Sequence, residues 1–269
     1  MLRAIGDDNY PDFTGKKVVV VGGGNVAMDC ARTAIRANAE TVSIVYRRRQ
    51  EDMTALPAEV EGAIAEGIEL VTLKAPLRVE TDENGNAAAL WVQPQMISNV
   101  RGGRPAPKKA DKPEERIEAD IILVAIGQDI VSKPFEKAGL ATKWGRFSAD
   151  KAGALNRVGM YAGGDCVSGP ATVIKAIAAG KVAAANIDEF LGCHHEISVD
   201  VDIPEPLLND KVPCGRVNLA EKESWARRTN FEAIEYTMSD EEALQEASRC
   251  LRCDRHGCGV LRGGRQDRW

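Results

Sequence analysis

The sequence predicts an α/β fold built on a parallel sheet, and three observations carry that reading. An apolar run at Lys17–Val21 is followed at once by the glycine turn Gly22-Gly23-Gly24. Apolar residues then recur at helical spacing over Val26–Ala37. A second run rich in β-branched residues, Thr41–Tyr46, closes the unit. Strand, turn, helix and strand within about thirty residues form the first crossover of a parallel sheet.

Each later element follows from its own pattern. Residues 1–15 are punctuated by Gly6, Asp7, Asp8, Pro11 and Gly15 and read as a linker. After the second strand, Arg47–Asp52 is a charged loop, and Ala58–Ala65 is a short helix with its acids toward the N-terminal end, where they suit the helix dipole. Ile68–Leu73, Leu77–Thr81 and Ala87–Val92 alternate as strands, the last two joined by the turn Asp82-Glu83-Asn84-Gly85. Ser98–Glu115 is polar and rich in Gly and Pro, a solvent loop in a small antiparallel excursion. Ala119–Ile126 reads as a fully buried strand ending at Gly127. The pattern is irregular from Ile130 until Val158–Ala162, another short buried strand. Gly163-Gly164-Asp165 turns that strand into a helix over Ala171–Leu191, with alanines on its packing face. Residues 196–224 lack periodicity and carry Pro204, Pro206 and Pro213. Ser239–Cys253 is a helix: Ser239 caps it, Glu242 completes a capping box, and Ala243, Leu244 and Ala247 form its apolar side.

Gly22-x-Gly24-x-x-Ala27 follows a strand and opens a helix, which is the context a dinucleotide turn requires. Gly22 permits the tight turn, Gly24 lets a pyrophosphate approach the backbone, and Ala27 lets the helix pack on the strand. Phosphate oxygens would meet the free N–H groups of the helix start. The end of the second strand then discriminates between cofactors. An NAD or FAD site of this type usually carries Asp or Glu there, on the ribose hydroxyls. Here Tyr46 is followed by Arg47, Arg48 and Arg49, and a guanidinium suits the 2′-phosphate of NADP. Taken alone the Arg run is equally a solvated loop; after this turn, NADP is the better reading.

Composition bounds the rest. At 269 residues, 44% hydrophobic and 28% charged, the chain can bury a core as one large domain or two small ones. A formal charge of −5 gives no general argument for nucleic acid as a partner. No apolar run approaches the ~18–20 residues of a membrane span and no leader pattern opens the chain, so the expected location is cytoplasmic. No Ser/His/Asp arrangement, H-E-x-x-H or Walker turn supports hydrolysis or phosphoryl transfer. The three histidines are all C-terminal, and no catalytic acid or base is assigned.

Seven cysteines are an odd number, and three of them crowd into nine residues, which suggests metal or redox chemistry rather than a disulfide framework. Cys250, Cys253 and Cys258 are spaced C-x2-C-x4-C, and such soft ligands can hold a [4Fe–4S] corner or zinc; unmetallated thiols are the third reading. The motif supplies no fourth ligand. Cys214 is the best internal candidate, then His256, while His194 and His195 follow Cys193 and can join a zinc site. Cys30 reads as core, and Cys166 has no C-x-x-C partner for a dithiol relay. Charge is uneven nearby: residues 187–246 hold fifteen acidic and five basic side chains, whereas residues 247–269 hold six Arg against two Asp.

Four stretches carry a family resemblance: VVVVGGGNVAMDCARTAIR at 18–36, VYRRRQEDMTALPAEVEGA at 45–63, ILVAIGQ at 122–128 and YAGGDCVSGPATVIKAIAAGKVAAANI at 161–187. Together they resemble the flavin-dependent pyridine-nucleotide reductases, in particular the glutamate synthase small subunit and its iron–sulfur-associated relatives. EASRCLRC at 246–253 is similar to a cluster segment which that branch carries near its N-terminus. The resemblance spans most of residues 14–190. It implies an NADPH-binding domain at 16–129, with Gly22, Gly24, Asn25 and Val26 on the pyrophosphate turn, Arg47 and Arg48 on the 2′-phosphate clamp and Gly127 beside the nicotinamide. It also implies a partial FAD-binding segment at 130–192. There Gly164 is a cofactor-binding residue, Asp165 reaches the ribityl–phosphate part of FAD, and Thr172 and Val173 begin a helix aimed at the isoalloxazine, a placement that stabilises negative charge on the reduced ring. From the residues alone, Asp165 is a helix-start cap. An irregular acidic segment (193–238) and a helix with a cysteine-rich tail (239–269) complete the division.

The expected whole is thus a Rossmann-like three-layer NAD(P)-binding domain, a partial FAD-domain segment and a C-terminal helical cysteine-rich tail. The resembled family opens with a separate FAD-binding βαβ unit, and this chain carries one glycine turn of that kind. The expectation is part of a longer enzyme, one subunit of a split enzyme or a gene fragment, retaining little FAD by itself. The favoured function is hydride exchange between NADPH and FAD, with electron transfer to a partner that carries an FAD domain or an iron–sulfur centre; a homodimer is a further option. The alternative is a non-catalytic NADP-binding and subunit-docking module whose partner supplies the flavin.

Overall fold

The computed structural model describes residues 1–7, 9–98, 105–195 and 214–250. They divide into two compact units. The first comprises Met1–Gly127 and Asn218–Met238, and the second Gln128–Val217 with the residues from Ser239 on.

The first unit begins with a short helix, α1 (Leu2–Gly6), then β1 (Lys17–Val21), α2 (Asn25–Arg36) and β2 (Thr41–Tyr46). A single 3-10 turn at Gln50–Asp52 precedes α3 (Pro57–Ala65) and β3 (Glu69–Thr72). An antiparallel excursion follows: β4 (Lys74–Thr81), β5 (Ala87–Ile97), β6 (Pro107–Lys109) and β7 (Glu115–Glu118). The chain then returns through β8 (Ile121–Val124). The parallel sheet has the order β3-β2-β1-β8, and β5 pairs antiparallel with β4, β6 and β7.

β1 is central, and its valines show why both faces of the sheet are covered. Side chains alternate across a strand. Val18 and Val20 join α2 and α3 residues such as Ala27, Met28, Ala31 and Val60 in one cluster. Val19 and Val21 join Leu90 and Val92 of β5 in another. Helices, parallel sheet and antiparallel sheet are therefore three layers around β1.

Four sequence expectations need correction here. Residues 1–15 contain α1, and Met1, Leu2 and Phe13 pack against the helix-side core, so apolar burial overrides the linker-like punctuation. The strand expected over Ala119–Ile126 is only Ile121–Val124, with Val124 and Ile126 largely exposed, because β8 is an edge strand paired on one side with β1. Val158–Ala162 is not a buried strand: Val158 is 91% exposed, and Tyr161 makes a single bridge to Ala154. A strand needs a neighbour for its backbone N–H and C=O groups, and residues 153–155 supply only a short one, with Leu155 N–H donating to Met160 C=O and Ala162 N–H to Gly153 C=O.

The acidic segment, lastly, is not wholly apart from the nucleotide-binding fold. Its described part from Asn218 to Met238 belongs to the first unit and includes α7 (Ser224–Arg227). Arg227 is 5% exposed and meets the fully buried Glu66 at the C-terminal end of α3. Its Nε is 3.0 Å from Glu66 Oε1 but its N–H is not aligned for a hydrogen bond, so the contact is electrostatic. The Arg227 Nη1 also pairs with Glu221. Arg32 and Arg36 of α2 donate to the same Glu66 carboxylate at 2.7 and 2.8 Å.

The second unit holds α4 (Lys133–Lys137), the two-residue strands β9 (Thr142–Lys143) and β10 (Arg146–Phe147), α5 (Asp165–Ser168), α6 (Val173–Phe190) and α8 (Asp240–Ser248). Alanines do form the packing side of α6: a Cβ on Gly163 would meet Ala179, and one on Gly153 would meet Ala183. The expected capping box is present on α8, with the Ser239 hydroxyl accepting from Glu242 N–H and the Glu242 carboxylate accepting from Ser239 N–H. Among the described residues no helix is long and apolar enough to cross a membrane.

Candidate functional site

The glycine turn stands at the carboxyl end of β1, between β2 and β8. This is the point at which the sheet order reverses and where open α/β sheets take ligands. Gly22 has φ +155°, its N–H donates to Val45 C=O, and a Cβ there would run into the Ala125 carbonyl and the Ala27 methyl. Ala27, fully buried, is thus the small residue that lets α2 pack against the strand. A Cβ on Gly23 would strike the Tyr46 ring, so the turn and the end of β2 are in direct contact. Gly24 is different. It lies in extended geometry at the N-cap of α2, and a Cβ would have only Thr54 Oγ1 near it, at 3.4 Å.

That opening sits over a helix start that no side chain caps among the described residues. The first N–H groups of a helix lack intrahelical partners and carry the positive end of the dipole. Asn25 does not cap; its Oδ1 instead accepts from Leu56 N–H at 2.9 Å. Thr54 and Ala55 N–H both donate to Gly23 C=O, at 2.9 and 3.1 Å. The segment 54–56 is therefore stapled across the glycine turn. Sequence reading missed this staple, although the Asn immediately after three glycines was its available signal. Val26 is more than half exposed at the same helix start.

The arginine run is split by its partners. Arg49 is held by Asp52, with Nε and Nη2 donating at 3.0 and 3.1 Å, and this hydrogen bonding keeps the Asp52 carboxyl below its ordinary pKa. Arg48 donates its Nε to Pro105 C=O at 3.0 Å, and among the described residues its terminal nitrogens have no hydrogen-bond partner. Arg47 is exposed. Gly127 has φ +102° and open space around it, just beyond β8. The glycine turn and the two arginines are brought to the carboxyl ends of the adjacent strands β1 and β2. A pyrophosphate fits the space at Gly24, and an anionic ribose substituent fits the arginine corner.

In the second unit, Gly163, Gly164, Asp165, Thr172 and Val173 line one open hollow of about 390 Å³, together with Ala171, Ala176 and Gly180. Gly164 has φ +74° and precedes α5, and Asp165 is exposed at its first position. Thr172 is the N-cap of α6, its Oγ1 accepting from Lys175 N–H, and Val173 is largely exposed. The residues assigned to the flavin thus line a common space bordered by Asp165 and by the N-terminus of α6. They fit one portion of a flavin nucleotide.

Of the tail, Cys253 and Cys258 lie outside the described residues. Cys250 is exposed just past α8. Cys214 lies against the last turns of that helix, its Sγ 3.4 Å from Ser248 Oγ. Gln245 Nε2 donates to Gly215 C=O at 2.8 Å, which fixes the approach. Cys214 is therefore carried to the end of α8 where the cysteine motif begins.

The model of the pyridine nucleotide-disulphide oxidoreductase family matches residues 3–180. The chain belongs to this family. Membership of an oxidoreductase family agrees with the redox character expected from the sequence. It is 34% identical over 275 residues to the NADP(+)-dependent formate dehydrogenase subunit beta of Moorella thermoacetica, covering 97% of this chain and 39% of that one. It is 34% identical to the NADPH-Fe(3+) oxidoreductase subunit beta of Geobacter sulfurreducens, covering 91% and 42%. The glutamate synthase [NADPH] small chain of Escherichia coli is 34% identical over 196 residues, covering 69% and 41%. The chain thus spans about two-fifths of the length of these relatives. Among solved structures, Mycobacterium tuberculosis FprA in complex with NADPH superposes with a TM-score of 0.54 at 18% identity, covering 69% of this chain and 55% of that one. Thioredoxin reductase of T. acidophilum gives 0.53 at 20%, covering 66% and 53%. At these identities the superpositions show the fold, an α/β Rossmann-like architecture of the NAD(P)/FAD-binding class.

Proposed function

We propose that the first unit binds NADP(H) and presents it to a flavin, as part of a larger NADPH-dependent oxidoreductase that passes electrons to a partner. The observation that carries this reading is the open, uncapped start of α2 at Gly24, beside a second strand that ends in arginines and no acid. When bound, the nicotinamide and flavin supply the hydride chemistry. This chain positions them. The N–H groups at Gly24, Asn25 and Val26 hold the pyrophosphate, the 54–56 staple keeps the turn in register, and Arg47 and Arg48 take the 2′-phosphate. Gly127 gives the nicotinamide a side-chain-free approach. Asp165 contacts the ribityl–phosphate part of FAD, and the α6 N-terminus at Thr172 and Val173 stabilises negative charge that develops on the ring.

The described residues contain one strand–glycine turn–helix unit of this kind, which NADP(H) takes. The adenine half of FAD is therefore held elsewhere, in further chain or in a partner subunit, and these residues alone retain less than one FAD. The names of two relatives, each a beta subunit, support a multi-subunit setting. Cys250, Cys253 and Cys258, with Cys214 as fourth ligand, are the proposed holders of a [4Fe–4S] centre, or of zinc in its place. The placement of Cys214 at the end of α8 supports that set.

Calorimetry with NADPH and NADH tests the reading. NADPH should bind more tightly, and changing Arg47 and Arg48 together to Ala should weaken NADPH while leaving NADH almost unaffected. Equal affinities in the unaltered chain would overturn the clamp.

A further inference from the structure

The C-terminal turn of α6 brings together three side chains that the nucleotide and flavin chemistry does not use. Gly192, at φ +73°, reverses the chain. Its N–H donates to Glu189 C=O and the Cys193 N–H donates to Asp188 C=O, the bonding of a helix that ends in a left-handed residue. The chain then folds back on the last turn. His195 donates its backbone N–H to Asp188 Oδ2 at 2.5 Å, and its Nδ1 lies 2.7 Å from Asp188 Oδ1. One ligand atom each from Asp188, Cys193 and His195 falls within 4.8 Å of the others. Asp188 is the half-buried member, at 23% side-chain exposure, and the other two are open to solvent.

We propose that this turn binds a divalent cation of the zinc class through the Asp188 carboxylate, the Cys193 thiolate and the His195 imidazole, with the remaining position open to water. The donor set selects the ion. A thiolate and an imidazole favour zinc or cobalt over magnesium or calcium, which prefer oxygen alone. The location favours a cation as well, because the last carbonyls of an 18-residue helix carry the negative end of its dipole. Glu189 adds a second carboxylate on the same turn, paired with His194 Nδ1 at 2.7 Å. Each Asp188 oxygen keeps a lone pair beyond the hydrogen bond it accepts. On binding, the Cys193 thiol gives its proton to solvent and the His195 imidazole coordinates as the neutral ring. The site is separate in sequence from the tail cysteines and does not depend on what they hold.

Cobalt(II) is the probe, used on the full chain with Cys250, Cys253 and Cys258 changed to Ser so that tail thiols give no signal. About one equivalent should bind with a thiolate-to-cobalt charge-transfer band, displaced by zinc and not by magnesium. Cys193→Ser should abolish the band, and Asp188→Asn or His195→Ala should weaken cobalt by about tenfold or more, with far-ultraviolet dichroism unchanged. A parent chain with no such band, a band that survives Cys193→Ser, or unchanged affinity in both other variants would overturn the site. If the tail substitutions prevent folding, elemental analysis of the otherwise natural chain decides. Cys193→Ser should lower zinc content by one equivalent, and equal content would overturn the proposal.

Discussion

Gly22 and Gly24 stand two residues apart in the same turn and fail for different reasons when a methyl group is added. Gly22 occupies a positive φ, and its Cβ would collide with the Ala125 carbonyl, which is backbone and cannot swing aside. Gly22→Ala should therefore destabilise the first unit by about 2 kcal/mol and lose NADPH binding as a consequence. Gly24 has φ −106°, which any residue adopts, and only Thr54 Oγ1 nearby. Gly24→Ala should change stability by no more than about 0.5 kcal/mol. Its methyl group nevertheless occupies the space that a phosphate would enter. Thermal melts and NADPH titrations on both variants separate the two effects. Full NADPH affinity in folded Gly24→Ala would show that the open space is not the pyrophosphate site.

At the scale of the element, α8 is nine residues long, shorter than helices that stand alone in water, so its ends matter. Ser239 and Glu242 satisfy two N-terminal donors, and Asp240, Glu241 and Glu242 crowd the positive end of the dipole. Ser239→Ala should cost this helix about 1 kcal/mol. Amide exchange should quicken over 243–248 and stay unchanged in α2, and uniform protection would show that the cap is dispensable. This helix was legible from sequence because capping is local and its residue types are distinctive. The β1–α2–β2 unit was legible for a similar reason, with both element periods and the turn chemistry agreeing. Val158–Ala162 was misread because an apolar run records suitability for a strand, whereas a buried strand also needs a longer neighbour than the single bridge from Ala154 to Tyr161. Likewise Met1, Leu2 and Phe13 find the core through long-range packing that the Gly and Pro punctuation of residues 1–15 does not reveal. The residues of the arginine corner were all visible, but their division was not. Asp52 takes Arg49 and Pro105 takes Arg48 Nε, and only folding shows which guanidinium groups remain.

The first unit as a whole is discontinuous in sequence, and one carboxylate ties its parts together. Glu66 of the α3 end receives Arg32 and Arg36 from α2 and faces Arg227 from α7, over 150 residues later in the chain. Burial raises the Glu66 pKa, but hydrogen bonds from Arg32 and Arg36, and then their charges, outweigh it and leave the group below its ordinary 4.5. A carboxyl with a depressed folded pKa binds fewer protons in the native state than in the unfolded chain at mildly acidic pH. Its contribution is complete above pH 4.5 and is lost as pH falls from there through the lower folded value. Glu66→Gln removes both the charge and this pH dependence. It leaves three guanidinium groups around a neutral amide, so the loss at neutral pH should be about 3–5 kcal/mol. Arg227→Met should cost less, because Arg32 and Arg36 keep Glu66 paired, yet it should release 218–238 to faster amide exchange while β1 and β2 stay protected. Urea denaturation across acidic pH measures the first expectation. The difference between wild type and Glu66→Gln should be constant above pH 4.5 and shrink below it, since acid protonates in the wild type the group that the variant lacks. Curves that stay parallel throughout would mean that Glu66 holds the two parts of the unit by shape and not by charge.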